Sequence, residues 1–275
     1  MNEFFIAGCQ RSGTTLMRLI LSSHSMIRCF DESEGYKLLT VGKLEQLDFD
    51  KAQKLVGFKI PRFSEQLLWA TMSDTDYGEF PSFYHGAPVI FLVRDYRDVI
   101  YSMAQLRYPD GESWLRKHGQ RILKFQAGHP EFKAEYKKIL TTVEQAGFPD
   151  HLVGALYWKY KTDALFSLID ARMPVIGIAY EDLVNNPKNE LAKLVDFLGL
   201  QWENALLQHN KLDHAELDAD GMAIGGTNPK LPIHKNSVKA YGDFFSPQEL
   251  KDMRATVNDT LSRLSGVNIE HDNGG

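Results

Sequence analysis

The chain has 275 residues, 43% of them hydrophobic, and a formal net charge of −5 at pH 7. This length and hydrophobic content favour a single α/β domain over residues 1–275, and the acidic balance argues against a nucleic-acid or anionic-membrane partner. The two cysteines, Cys9 and Cys29, indicate a reducing compartment rather than a disulfide framework. No apolar run is long enough to predict a membrane span, so we expect a soluble, cytoplasmic protein.

Short apolar runs of strand length alternate along the chain with segments of helical pattern. The predicted strands are FFIAG (4–8), LVGFKI (55–60), APVIFLV (87–93) and MPVIGIAY (173–180). The predicted helices are 14–24, 99–106, 152–169, 187–198 and a C-terminal helix opened by the capping box Ser246-Pro247-Gln248-Glu249. This alternation predicts a three-layer, P-loop-like α/β fold, with a parallel sheet flanked by helices. Residues 107–150 predict a helical insertion over the edge or mouth of the sheet.

The first predicted strand runs into AGCQRSGTTLM (7–17), which resembles a phosphate-binding loop without its lysine. Gly8 and Gly13 keep the P-loop spacing, whereas Thr14 stands where the lysine belongs and a cation precedes it as Arg11. Because the loop follows a strand and opens a helix, its free N–H groups and the helix dipole form an anion site. The loop therefore predicts an anionic ligand that does not need the P-loop lysine.

The predicted strand 87–93 is followed by Arg94, where nucleotide triphosphatases carry a magnesium-binding aspartate. A guanidinium group at this place suits a bare anion, through a forked, charge-assisted contact. Ser102 follows on the next predicted helix. The pattern thus predicts anion binding without a metal ion.

Several segments, in chain order, resemble those of sulfotransferases that use 3′-phosphoadenosine 5′-phosphosulfate (PAPS). They are QRSGTT (10–15), FLVRDYRDVIYS (91–102), AYEDLVNNPKNELAKLVDFLGL (179–200) and HKNSVKAYGDFFSPQE (234–249). The resemblance implies transfer of the sulfuryl group of PAPS to a hydroxyl or amine of a small-molecule acceptor, with release of 3′,5′-ADP and no metal. It implies that Arg11 reaches the oxygen bridging phosphate and sulfate. The other implied nucleotide contacts are Ser12, Gly13, Thr14 and Thr15 at the 5′-phosphate, Arg94 and Ser102 at the 3′-phosphate, Tyr180 at the adenine, and Lys235 with Asn236 in a closing loop.

The resemblance also implies a group that takes the proton from the acceptor. Phenol- and steroid-directed relatives carry a histidine at a strand end, where this chain reads GFKIP (57–61) with Lys59 at the histidine's place. Other branches, which modify carbohydrate or tyrosine, carry a glutamate after the first helix, where this chain has FDESEG (30–35). Glu32 is in register with that pattern and Glu34 is the alternative. Lys59 is then a cation near the sulfuryl group or a salt-bridge partner of the glutamate.

Three segments that frame the implied acceptor mouth, 30–36, 73–84 and 212–220, are acidic and aromatic. Carboxylates interleaved with Tyr and Phe favour a compact, neutral-to-cationic acceptor over an anionic glycan, and the insertion is expected on the same side. Two other functions stay open, a small-molecule or nucleotide kinase on a P-loop scaffold and a protein that binds 3′-phosphoadenosine nucleotides without turnover. The missing lysine disfavours the kinase, and the acidic segment 30–35, which offers a candidate base, disfavours the protein without turnover. A monomer and a homodimer are both compatible with the sequence.

Overall fold

The computed structural model describes residues 2–41, 54–214, 217–223 and 225–267, and its centre is a parallel β-sheet. The strands of the described part are β1 (Asn2–Gly8), β2 (Ile27–Phe30), β3 (Leu55–Lys59), β4 (Thr71–Asp74), β5 (Gly78–Pro81), β6 (Val89–Val93) and β7 (Val175–Ala179). Five of them form the sheet in the order β2-β3-β1-β6-β7, and every neighbouring pair is parallel. Strands β4 and β5 form a separate antiparallel hairpin.

Helices cover both faces of the sheet. They are α1 (Thr14–Leu21), α2 (Glu32–Val41), α3 (Tyr96–Ala104), α4 (Gln120–Gln126), α5 (Ala134–Gln145), α6 (Asp150–Thr162), α7 (Ala164–Asp170), α8 (Tyr180–Asn185), α9 (Pro187–Phe197) and α10 (Pro247–Gly266). Successive residues of β1 alternate between two apolar clusters, with Phe5 in one and Phe4 and Ile6 in the other. Because side chains of a strand point alternately to its two faces, these clusters are the two layers of core. The three-layer α/β prediction is confirmed.

Strand β1 is the point at which the chain order reverses across the sheet. The chain goes from β1 to β2 and β3 on one side, and later to β6 and β7 on the other. Ligands of open parallel sheets bind beyond the carboxyl ends of the strands at such a point. Here β1 and β6 approach so closely that a Cβ atom at Gly8 would lie 2.3 Å from the carbonyl oxygen of Leu92. The loop after β1 and Arg94 after β6 therefore meet at one crevice.

Several elements differ from the sequence-based expectation. The sequence patterns do not predict strand β2, the β4–β5 hairpin or helix α2, which begins within the acidic segment 30–35. The pattern over 152–169 forms two helices, α6 and α7, separated at Asp163. Tyr180 begins α8 rather than ending a strand. The capping box at the start of α10 is present with both of its hydrogen bonds, as predicted.

The insertion 107–150 is helical in the structure. It contains a short π-helical turn (Leu115–Gly119) followed by α4 and α5. Its Trp114 ring packs edge-on against Tyr157 of α6, with the ring centroids 5.4 Å apart. The Tyr157 hydroxyl in turn donates a hydrogen bond to Gln10 of the loop after β1, at 2.9 Å. The insertion is thus tied to the crevice through one buried tyrosine, while its position beside an acceptor stays a prediction.

Candidate active site

The loop between β1 and α1 ends at Gly13, in a backbone conformation that favours glycine. Arg11 and Gly13 have φ of 71° and 93°, in the left-handed region, and Gly13 caps the N-terminus of α1. A Cβ atom at Gly13 would lie 2.5 Å from the Tyr180 ring. The glycine therefore lets the ring of α8 lie directly against the loop, and it leaves the first N–H groups of α1 directed at the crevice.

Two guanidinium groups meet at this loop. Arg94 donates from Nη1 to the carbonyl oxygen of Arg11 at 2.8 Å and lies over the Tyr180 ring, 4.6 Å from its centroid. The Arg11 side chain donates from Nε to the Ser102 hydroxyl at 2.8 Å and from Nη1 to the carbonyl oxygen of Gly225. Burial lowers the pKa of Arg11, and the charge of Arg94 lowers it further. Two cations held this close favour an anion between or beside them.

The loop, both arginines and the segment before α10 enclose a cleft of about 710 Å³. The predicted site residues that line it are Arg11, Gly13, Thr14, Thr15, Arg94, Ser102 and Tyr180. Three predicted contacts lie elsewhere: Ser12 is fully buried, and Lys235 and Asn236 are exposed outside the described lining of the cleft. Their neighbours His234 and Ser237 do line it. The segment before α10 thus lines the cleft, but through side chains other than the two predicted ones.

Sequence reasoning missed a second glycine-containing turn that lines the cleft. It comprises Gly225, Gly226, Thr227 and Asn228. Both glycines have positive φ, and a Cβ atom at Gly225 would lie 3.0 Å from Nη1 of Arg11. A Gly-Gly pair followed by Thr-Asn is a turn pattern, so it could have been found as a loop, although nothing local predicts that it meets Arg11.

On the other side of the loop, Lys59 connects Thr15 to two carboxylates. Its Nζ lies 2.9 Å from the Thr15 hydroxyl, 3.0 Å from Glu32 Oε1 and 2.8 Å from Asp31 Oδ1. The structure thus brings Lys59 and Glu32 together, as one of the two expected roles of Lys59 requires. Glu34 is exposed on the first turn of α2. Asp31, which sequence reasoning did not single out, is fully buried and also lies 3.3 Å from Nε of Arg18.

Arg11 is placed differently from its expected role. The sequence suggested a contact with the oxygen that bridges phosphate and sulfate, yet the side chain joins Ser102, an expected 3′-phosphate ligand. The cation beside the candidate base is Lys59 instead. The Arg11 side chain instead extends to Ser102 of α3 and to the Gly225 turn, where its Nε and Nη1 donate hydrogen bonds.

The family model of the sulfotransferase domain matches residues 1–219 of this chain. The chain belongs to this sulfotransferase family. A Caenorhabditis briggsae protein described as a candidate protein-tyrosine sulfotransferase is 25% identical over 90% of this chain and 84% of its own length. Chicken (Gallus gallus) protein-tyrosine sulfotransferase 2 is 25% identical over 77% of this chain, which spans 55% of the chicken protein. The structure of mouse sulfotransferase SULT7A1 complexed with PAP shares the fold, with a TM-score of 0.52 and 15% identity over 97% of this chain and 86% of the mouse chain.

Close to the loop between β1 and α1 of this sulfotransferase lies a carboxyl with an unusual protonation equilibrium. Glu181 follows Tyr180, and its Oε1 accepts a hydrogen bond from the main-chain N–H of Asp95 at 3.0 Å. Its Oε2 is buried without a hydrogen-bond partner among the described residues. Burial raises the pKa of Glu181 to about 7, against the lowering effect of the Asp95 N–H. This carboxyl joins the start of α8 to the start of α3 just below Arg94.

The acidic segment 73–84 carries less free negative charge than the sequence suggested. Arg62, which follows β3, lies 3.3 Å from Asp74 and 3.1 Å from Asp76. Arg121 of the insertion lies 3.2 Å from Asp76. The Tyr77 ring lies under the Arg62 guanidinium, 5.6 Å from centroid to Cζ. These ion pairs offset the carboxylates of the hairpin, so its field is weaker than its composition indicated.

Two further properties of the described residues concern metals and membranes. In residues 2–41, 54–214, 217–223 and 225–267, His, Cys, Asp and Glu side chains form no group of three that could hold a metal ion. Within the same ranges, no helix combines the length and the apolar character needed to cross a bilayer. Cys9 and Cys29 are both buried.

Proposed function

We propose that this sulfotransferase moves the sulfuryl group of PAPS to an acceptor hydroxyl and releases 3′,5′-ADP. One observation carries the proposal. The Lys59 ammonium lies within 3.0 Å of both the Thr15 hydroxyl of the anion loop and the Glu32 carboxylate. A cation and a candidate base are therefore next to the loop in which an anionic donor would bind. A protein that only binds nucleotides has no need of this arrangement.

The residues of the cleft fit a nucleotide with two separate phosphate groups. None of the described lining residues is acidic, and two are arginines. Nε of Arg94 is buried without a hydrogen-bond partner among the described residues, so this guanidinium retains a free donor. Arg94, Arg11 and Ser102 would hold the 3′-phosphate, and Gly13 to Thr15 the 5′-phosphate. PAPS bound there would supply an activated sulfuryl group, and the mouse sulfotransferase, whose structure is a complex with PAP, supports this choice.

The roles of the chain's own residues follow from their positions. Glu32 accepts the proton of the acceptor hydroxyl at its carboxylate as the oxygen–sulfur bond forms and the bond from sulfur to the phosphate oxygen breaks. Lys59 stabilises negative charge beside Thr15. Arg94 binds a phosphate whose charge does not change in the reaction, so its contribution is to affinity.

The acceptor is proposed as a compact, neutral-to-cationic small molecule with a hydroxyl or amine group. The exposed carboxylates of Glu34, Asp218 and Asp220 support this, whereas the ion pairs of Asp74 and Asp76 weaken it. The phenol of a peptide tyrosine is a second candidate, and the names of the worm and chicken relatives support it. Either acceptor would give up a proton to the same base, from a hydroxyl or amine group in the first case and from the phenol in the second.

Ligand binding and turnover test the function separately. We expect 3′,5′-ADP to raise Tm more than ADP or ATP with Mg²⁺, since only 3′,5′-ADP occupies Arg94 and Ser102, and a hundredfold excess over Kd stabilises by about 2.7 kcal/mol. PAPS labelled in its sulfuryl group is then incubated with a cationic alcohol, a neutral alcohol of the same shape and a tyrosine peptide. A larger shift with ATP would favour the kinase alternative. Binding of 3′,5′-ADP without transfer to any acceptor class would favour the non-catalytic one.

A further inference from the structure

A fully buried carboxylate lies behind the candidate base. Asp31 separates β2 from α2, and its side chain is 0% exposed, whereas that of Glu32 is 23% exposed. Of these two neighbouring carboxylates, only Glu32 can be reached by an acceptor. Adjacent carboxylates in such different surroundings take different roles.

Asp31 contacts three groups from three different elements. Its Oδ1 lies 2.8 Å from Nζ of Lys59 on β3 and accepts a hydrogen bond from the main-chain N–H of Glu32 at 2.6 Å. Its Oδ2 lies 3.3 Å from Nε of Arg18 on α1. Arg18 and Lys59 are themselves 2% and 1% exposed. Two buried cations and the carboxylates of Asp31 and Glu32 therefore balance one another.

The ammonium group of Lys59 has three donors, and each has a partner: Thr15, Glu32 and Asp31. Thr15 belongs to the nucleotide loop, and Glu32 is the candidate base. With the charge of Asp31 removed, Glu32 would be the single anionic partner of Lys59 among the described residues, and the ammonium would move towards it and away from Thr15. The contact with Asp31 therefore determines where the Lys59 ammonium lies between Glu32 and Thr15.

We infer that Asp31 is a positioning residue that fixes the Lys59 ammonium between Thr15 and Glu32 for sulfuryl transfer. This inference rests on the function proposed above. It differs from a purely structural role, in which Asp31 only neutralises Arg18 and supports the start of α2. A structural role predicts a loss of stability, whereas positioning predicts a loss of turnover that depends on Lys59.

Asp31→Asn keeps the shape of the side chain and removes its charge. We expect kcat to fall about a hundredfold, as a small displacement of a reacting group does, with the KM for PAPS unchanged. In a Lys59→Met background the same change should have little further effect, because the two residues act as a unit. Asp163→Asn is the matched control. Asp163 is a second buried carboxylate paired with a buried lysine, Lys159 at 3.0 Å, and it lies between α6 and α7, outside the site.

A measurement that does not depend on turnover follows Lys59 directly. In ¹H–¹⁵N spectra selective for lysine ammonium groups, a buried and fully hydrogen-bonded Lys59 should give a protected signal, identified by its loss in Lys59→Met. We expect Asp31→Asn to shift or remove this signal and Asp163→Asn to leave it in place. Asp31→Glu keeps the charge but moves the carboxylate by one methylene, so it should also displace the signal. This variant covers a failure of Asp31→Asn to fold.

The outcomes separate the inference from the proposed function. If the wild-type protein transfers no sulfuryl group, the proposed function fails, and the ammonium spectra still decide whether Asp31 positions Lys59. If the wild-type protein is active but the Lys59 signal is the same in both Asp31 variants, the inference is overturned. It is equally overturned if the effects of Asp31→Asn and Lys59→Met on kcat multiply independently.

Discussion

The Glu181 carboxyl, between the starts of α8 and α3, should make the stability of this sulfotransferase depend on pH, and one substitution should remove this dependence. Glu181→Gln keeps the shape of the side chain and the oxygen that accepts the Asp95 N–H, at 3.0 Å in the wild type. It removes the negative charge from a position where Oε2 has no hydrogen-bond partner among the described residues. The variant therefore isolates the free energy of ionising a buried carboxyl.

The sign follows from the two pKa values of Glu181. In the unfolded chain the group ionises near its ordinary value of 4.5, whereas burial raises the folded-state pKa to about 7. Between these values the folded state binds more protons than the unfolded state, so the free energy of unfolding falls as pH rises through this window. Above this pH window, the ionised Glu181 lowers the free energy of unfolding by its full amount, which is at most about 3 kcal/mol because each pKa unit corresponds to about 1.36 kcal/mol.

Urea unfolding followed by circular dichroism, at about pH 4 and about pH 8.5, measures this cost. We expect Glu181→Gln to match the wild type at the lower pH and to be more stable by up to about 3 kcal/mol at the higher pH. Since 1 kcal/mol moves Tm by about 2–4 °C for a chain of this size, thermal unfolding should show the same difference. An equal effect at both pH values, or a loss of stability at the higher one, would refute the reasoning.

Glu249→Gln is a control of opposite sign. The pKa of Glu249 is lowered by hydrogen bonds from the main-chain N–H and the hydroxyl of Ser246, in the capping box of α10. Its contribution is therefore present above the unfolded-state pKa and lost as pH falls. Glu249→Gln should lose stability at about pH 8.5 and not at low pH.

Three further predictions concern the site. Gly13→Ala should weaken 3′,5′-ADP binding and lower Tm, because φ of Gly13 is 93° and the new Cβ would lie 2.5 Å from the Tyr180 ring. A wild-type Kd measured by calorimetry for this variant would contradict the prediction. Glu32→Gln should lower kcat by about 10²–10⁴ without changing the Kd for 3′,5′-ADP. Glu34→Gln, at an exposed position, is the matched control, and an inactive Glu34→Gln variant would assign the role of the base to Glu34. Arg94→Lys should raise the Kd for 3′,5′-ADP and leave kcat at saturation unchanged, because a lysine does not reproduce the forked contact of a guanidinium with a phosphate. A fall in kcat alone would instead place Arg94 at the reacting atoms.

Three of the strands that the sequence predicts correctly are buried on both faces of the sheet. Residues 4–8 of β1, 55–58 of β3 and 89–93 of β6 are buried, and each range is a run of apolar residues, with a glycine in β1 and β3, that can be recognised without knowing its partner strand. Strand β2, with the sequence IRCF, is short and contains an arginine. It becomes a strand because it pairs with β3, in the register Ile27 with Leu55. Its conformation depends on a neighbour far along the chain, which local periodicity does not contain.

The same distinction separates the two halves of the site. The anion loop is continuous in sequence, and its glycine spacing and following helix determine its chemistry locally. The contact of Lys59 with Glu32 and Asp31, and that of Arg11 with Gly225, join residues far apart in the chain. Only the strand order, which places β2 and β3 on one side of β1 and β6 on the other, decides which side chains meet. The predicted type of ligand thus follows from a local motif, whereas the positions of the charges around the loop result from long-range packing of the sheet.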